Sequence, residues 1–110
     1  MPGRCSRVYG LLGLAAKKGS VVSGGDACAR ALKNGAGGLM ILAGDASANT
    51  RERFMRLAYG KNTDYIIFGA CRELGRRVGK SERSVIIVTD KGLADSIRGQ
   101  LDFAATITGV

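Results

Sequence analysis

The sequence predicts an α/β layered domain with helices on both faces of a small sheet. Three continuous apolar runs carry that prediction: residues 39–43 (Leu-Met-Ile-Leu-Ala), 65–68 (Tyr-Ile-Ile-Phe) and 85–89 (Val-Ile-Ile-Val-Thr). Such runs, bounded by turn residues, read as strands buried on both faces. Between them lie segments whose apolar residues recur at helical spacing. Strand and helix therefore alternate, and from the residues alone that alternation favours a mostly parallel sheet.

In chain order, the first helix is carried by Val8, Leu11, Leu12, Ala15 and Ala16. Ser6 is its candidate cap, and Gly19 ends it. Val21-Val22 is a short extended piece. Gly24-Gly25-Asp26 opens a second helix, with Ala27, Ala31 and Leu32 facing inward and Asn34-Gly35 stopping it. After the first apolar run, residues 44–48 form a loop. Asn49, with Glu52 three residues on, matches a helix-start pattern and leads into a third helix through Phe54, Leu57 and Ala58. Residues 60–64 turn the chain into the second run. A short helix over residues 71–78 follows. Asp90 caps the last helix, which carries Leu93, Ala94, Ile97 and Leu101. The tail 103–110 has no assignment, although residues 104–107 have the composition of a short strand.

The length of 110 residues is that of one domain, here residues 1–110. No apolar run approaches the roughly 18 residues of a membrane span. Met1-Pro2-Gly3-Arg4-Cys5 is not followed by a signal-peptide core and cleavage site. The expectation is a soluble cytoplasmic protein, without membrane partners and monomeric. The formal net charge is +8 and the pI about 9.9. The cations cluster. Arg4, Arg7, Lys17, Lys18, Arg30 and Lys33 face one anion, Asp26, in the first third of the chain. A second run, Arg72, Arg76, Arg77, Lys80 and Arg83, contains only Glu73 and Glu82 as anions. Two such stretches converging on one patch point to a polyanionic partner.

Catalytic and metal chemistry find little support. The chain has no histidine, so no imidazole-based triad exists. Cys5, Cys28 and Cys71 lack paired spacing, and zinc needs four ligands at short paired spacings. Cys28 and Cys71 sit on apolar helix faces and are expected to pack as small hydrophobes. Gly75-Arg-Arg-Val-Gly79-Lys80-Ser81 resembles the phosphate loop G-x-x-x-x-G-K-S but is one residue short, and its first glycine falls inside a helix. Asp26, Asp45, Glu73 and Asp90 each fit as helix-start carboxylates. The expectation is a protein without enzymatic activity, cofactor or metal.

What the sequence does offer is helix N-termini at strand ends, at Gly24-Gly25-Asp26 and at Gly69-Ala70-Cys71. Main-chain N–H groups placed there hold phosphate oxygens. Arg30 and Lys33 share a helix face with Asp26. Arg72 starts the short helix, and Lys80 and Arg83 lie in the basic loop after it. The candidate site is therefore Gly24, Gly25, Asp26, Arg30, Lys33, Arg72, Lys80 and Arg83. Amides at a groove's base with Arg and Lys on its walls suit a bent or irregular RNA.

Several segments resemble the kink-turn RNA-binding ribosomal protein superfamily, and within it the small bacterial YlxQ-type members. They are Leu11-Leu12-Gly13-Leu14-Ala15, Val22-Ser23-Gly24, Arg30-Ala31-Leu32-Lys33-Asn34-Gly35, residues 39–45, Glu73-Leu74-Gly75 with Gly79-Lys80, and Val88-Thr89-Asp90-Lys91-Gly92. The resemblance covers residues 8–101 and rests on the order and spacing of these pieces. It implies a three-layer α-β-α sandwich with a small mixed four-stranded sheet, and RNA binding without catalysis. Kink-turn binders of the superfamily begin the second helix with G-T-N-E-x-x-K. Gly24 and Arg30 match its first and last positions, whereas Gly25, Asp26 and Ala27 replace Thr, Asn and Glu. Lys80 and Arg83 fit the G-K-x-x-R loop of one eukaryotic large-subunit branch.

The resulting expectation is a ribosomal or ribosome-associated protein of translation that binds structured, kink-turn-like RNA. The alternative is a protein-interaction module on the same scaffold, for which Asp26 and Glu82 would face a basic partner.

Overall fold

Each of the three apolar runs forms a strand, and Val21-Val22 begins a fourth. The computed structural model describes residues 3–101; the tail 103–110, with its expected strand, lies outside them. In chain order the elements are α1 (Gly3–Lys17), β1 (Val21–Ser23), α2 (Gly25–Lys33), β2 (Leu39–Leu42), α3 (Ala48–Gly60), β3 (Asp64–Ile67), α4 (Cys71–Arg77), β4 (Val85–Val88) and α5 (Lys91–Leu101).

The strands form one sheet in the order β1-β4-β2-β3. Only β2 and β3 are parallel; β4 runs antiparallel to both β1 and β2. The mixed sheet implied by the resemblance is the observed one, and the mostly parallel reading is corrected. The physical reason is simple: β4 threads between β1 and β2, reversing two of the three pairings, and apolar runs carry no direction.

Central strands β2 and β4 are buried at every residue. Their side chains alternate between two cores. Leu39, Ile41, Ile86 and Val88 pack with Val8 and Leu12 of α1, Leu74 of α4 and Ile97 of α5. Met40, Leu42, Val85 and Ile87 pack with Cys28 and Leu32 of α2 and Phe54 of α3. Three layers result, with α1, α4 and α5 on one face and α2 and α3 on the other. A slip of one residue in β4 would exchange its two apolar sets, so the register is strongly specified.

The register also decides where the loops go. Leu42 is opposite both Val85 and Ile67, and Ser23 is opposite Ile86. The starts of α2, α3 and α4 and the last residues of the loop 78–84 therefore gather at one end of the sheet. Helices α2 and α3 both start there, pack together and run back in the same direction.

Local expectations are corrected at several points. α1 begins at Gly3, so Ser6 is inside it and caps nothing. α3 is capped by Ser47, whose Oγ accepts from the Thr50 N–H at 3.2 Å, and not by Asn49. The inward face of α2 is Cys28, Ala29 and Leu32; Ala27 and Ala31 are half-buried. β3 is an edge strand in which only Ile66 is fully buried. Asp90 does cap α5, its Oδ1 accepting from the Leu93 N–H at 2.8 Å.

Candidate functional site

The site is built on Gly24. Its φ of 93° and ψ of 154° are unsuited to a residue with Cβ, and they turn the chain sharply from β1 into α2. The Gly24 N–H donates to the Val85 carbonyl at 3.1 Å, fixing the turn to β4. No side chain caps α2. The N–H groups of Gly25, Asp26 and Ala27 have no acceptor among the described residues. They are the orphan donors of a helix start, and they sit where the sheet's loops converge.

A cleft of about 360 Å³, lined by Gly24 and Gly25, opens at this helix start between α2, α3 and the loop before β4. Arg83 forms one wall. Its Nε donates to Ser23 Oγ at 3.3 Å, and its Nη1 donates to Ser81 Oγ and the Glu82 carbonyl, each at 2.9 Å. The guanidinium is thus held by neutral oxygens, and its charge is not cancelled by a carboxylate. Arg53 of α3 forms the opposite wall. Its guanidinium lies over the Phe54 ring, 4.9 Å from the centroid. Its Nη1 is 4.0 Å from the point where a Cβ on Gly25 would stand. Thr50 and Glu82 complete the rim. A carboxylate, Asp26, stands exposed on the first turn and makes no ion pair with Arg30 one turn later.

The structure thus brings Gly24, Gly25, Asp26 and Arg83 together. Arg30 and Lys33 are exposed on α2, about 7.5 and 12 Å along its axis from Gly25. Lys33 is therefore at the far end of the helix. Arg72 is exposed on the first turn of α4, at the loop-bearing end of the sheet. Lys80 is displaced from that end. Its N–H donates to the Gly75 carbonyl at 2.8 Å, whereas the Arg83 N–H donates to the Cys71 carbonyl at 3.0 Å. The loop therefore runs back along α4, carrying Lys80 near the helix C-terminus and Arg83 near its start.

The second helix start is not open. The Cys71 N–H donates to Asp45 Oδ1 at 2.8 Å, and this bond holds the Asp45 carboxyl below its usual range. Asp45 occupies the position that Gly69-Ala70-Cys71 was expected to offer a phosphate. The two basic stretches also meet only in part: Lys18 pairs with Asp90 at 2.6 Å at the opposite end of the sheet, and Arg76 and Arg77 pair with Glu73.

Arg53 is the residue sequence reasoning missed. Phe54 reads as core, but the Arg51, Arg53 and Arg56 series on the same helix carries a signal of its own. Of the cysteines, Cys28 is buried and its thiol donates towards the Val22 and Val85 carbonyls. Burial pushes its pKa up to about 12. Cys71 is half-buried, packed against the core on the α1 side of the sheet as expected, with its thiol 3.4 Å from Ser84 Oγ. Among the described residues no group of His, Cys, Asp and Glu is placed to hold a metal. No described helix is long and apolar enough to cross a membrane.

The class of protein is thus an α-β-α sandwich with a mixed four-stranded sheet and an uncapped helix start at its loop end. The model of the "Ribosomal protein L7Ae/L30e/S12e/Gadd45 family" matches residues 6–97, and this chain belongs to that family. It is 35% identical over 94 residues to the RNA-binding protein YlxQ of Bacillus subtilis (strain 168), covering 86% of this chain and 94% of that protein. A Bacillus halodurans C protein of unknown function superposes with a TM-score of 0.81 at 32% identity, covering 86% of this chain and 96% of that one. A Giardia lamblia 15.5kD RNA binding protein shares the fold with a TM-score of 0.78 at 18% identity, covering 92% and 89%.

Proposed function

We propose that this chain is a non-catalytic protein that binds structured RNA of the kink-turn type in the α2 cleft, as a monomeric single domain of the cytoplasmic translation apparatus. One observation carries the proposal: the uncapped start of α2, at Gly24 and Gly25, lines one cleft with Arg53 and Arg83. Family membership and the similarity to an RNA-binding protein support the same reading.

Each part of the cleft has a role in RNA recognition. The α2 N–H groups and the positive end of the helix dipole hold phosphate or base oxygens. Arg83, oriented by Ser23 and Ser81, offers its remaining donors as a fixed fork. Arg53, raised over Phe54, presents a flat cation that stacks on a base or pairs with a phosphate. Asp26 is an acceptor only, so it selects for base N–H groups and against a phosphate at its own position. Ribosomal rather than free RNA is the intended target in this reading, and Arg30 and Arg72 extend the cationic rim.

The test is a gel shift with a kink-turn hairpin and a scrambled hairpin of equal length. We expect preference for the kink-turn, lost in Arg53→Ala and in Arg83→Ala. Equal, salt-sensitive binding to both hairpins would reduce the site to charge alone. Binding to neither would favour a protein partner.

A further inference from the structure

A larger cationic face continues beyond the cleft. Arg30 and Lys33 of α2 and Arg53 and Arg56 of α3 are exposed, as is Lys61 just after α3. None of them enters an ion pair among the described residues. The ion pairs among the described residues lie elsewhere, joining Lys18 to Asp90, Arg76 and Arg77 to Glu73, and Arg98 to Asp64 and Asp95. Arg72, Lys80 and Lys91 are likewise outside these pairs, but α2 and α3 carry the larger group of unpaired cations.

This face also carries Tyr59, 84% exposed and the most open of the large apolar side chains described. It follows Arg56 by three residues, and the two share one side of α3. Both helices start at the cleft and run away from it side by side. Leading away from the cleft, α2 carries Arg30 and Lys33 and α3 carries Arg53, Arg56 and Tyr59, with the exposed Glu52 on the same side of α3 as Arg56 and Tyr59. From Arg53 to Tyr59 the helix rises about 9 Å, the reach of roughly three stacked nucleotides of one strand.

We propose that the exposed faces of α2 and α3 form a second RNA-binding surface, on which a single-stranded flank of the cleft-bound RNA lies with a base stacked on Tyr59. The inference rests on the RNA reading of the cleft and names what that RNA carries beyond its folded element. Cations spaced along a track, interleaved with an open aromatic ring, are the equipment of single-strand binding. An acidic peptide would use the charges and leave the ring without a role.

The chain has no tryptophan, so Tyr59→Trp places a unique fluorophore on the track. The probes are a kink-turn hairpin without tails and the same hairpin with a short single-stranded tail on its 5′ or its 3′ side. RNA anisotropy reports binding independently of the tryptophan. We expect quenching on saturation with at least one tailed hairpin and none with the tailless one. In the otherwise native chain, Tyr59→Ala should weaken the tailed complex by at least roughly fivefold and leave the tailless complex unchanged. Lys33→Ala with Arg56→Ala should make the salt slope for the tailed hairpin shallower by about 0.7 for each phosphate no longer neutralised. Unchanged emission on saturation with both tailed hairpins would overturn the inference while leaving the cleft intact. Anisotropy that fails to rise with any hairpin removes the cleft reading and this inference together.

Discussion

Arg83 donates from Nε to Ser23 Oγ at 3.3 Å, joining the loop before β4 to the last residue of β1 across 60 positions of sequence. The bond holds the guanidinium beside the start of α2, with Nε 3.9 Å from where a Cβ on Gly24 would stand. Three elements distant in sequence thus act as one binding edge.

Arg83→Ala should weaken RNA binding and make the slope of log K against log salt shallower by about one. Arg83→Lys should restore part of the slope but not the affinity, because a point charge cannot hold Ser23 and a phosphate in one plane. Fluorescence anisotropy over a salt series separates these outcomes. The same loss in both variants would place the effect on the guanidinium geometry alone, and full rescue by lysine would place it on charge alone.

Gly75→Ala should destabilise the fold. A Cβ there would lie 1.8 Å from the Ser81 carbonyl oxygen and 2.6 Å from its carbon. Alanine gains about 1 kcal/mol of helix propensity, and overpacking costs about 1–3 kcal/mol. We expect a net loss in urea unfolding, with weaker RNA binding because the loop that carries Arg83 must shift. A variant as stable as the parent would show that the loop lifts freely.

Asp45 gives a pH signature. Its carboxyl is held below the usual aspartate range, chiefly by the Cys71 N–H. A depressed carboxyl pKa stabilises the fold above the unfolded value, and the gain is lost as pH falls through the folded value. The parent should therefore exceed Asp45→Ala in stability at neutral pH, and the gap should close below about pH 4. A gap that persists unchanged at lower pH would assign the effect to something other than this charge.

Cys28 should resist alkylation in the native state. Its thiol is fully buried, with a pKa raised to about 12, so the thiolate needed for reaction is scarce at about pH 8. Iodoacetamide followed by peptide mass spectrometry should find Cys28 unmodified until denaturant is added. Rapid labelling in native buffer would mean that α2 opens readily from the sheet.

Much of the fold was legible because burial on both faces leaves an unmistakable run, as in β2 and β4. Edge strand β3 looks the same in sequence although only Ile66 is fully buried, since an apolar run does not report which strand lies outermost. Sheet direction was hidden for the same reason and came only with the family resemblance. The cap of α3 lies two residues before the expected one: Ser47 and Asn49 both have capping side chains, and backbone geometry chose Ser47. At the site, Gly24, Gly25 and Asp26 were readable because a glycine pair before a helix marks its start. Arg53 was not, because its place depends on α3 packing beside α2. The closure of α4 by Asp45 was equally invisible, since it links positions 26 residues apart.

The most direct measurement is an amide NMR titration with the kink-turn hairpin. We expect the largest shifts at the Gly25, Asp26 and Ala27 N–H groups, with the Arg53 and Arg83 Nε–H signals moving at the same RNA ratio. Saturable binding that leaves those amides in place and moves signals on α1 and α5 instead would contradict the assignment of the cleft.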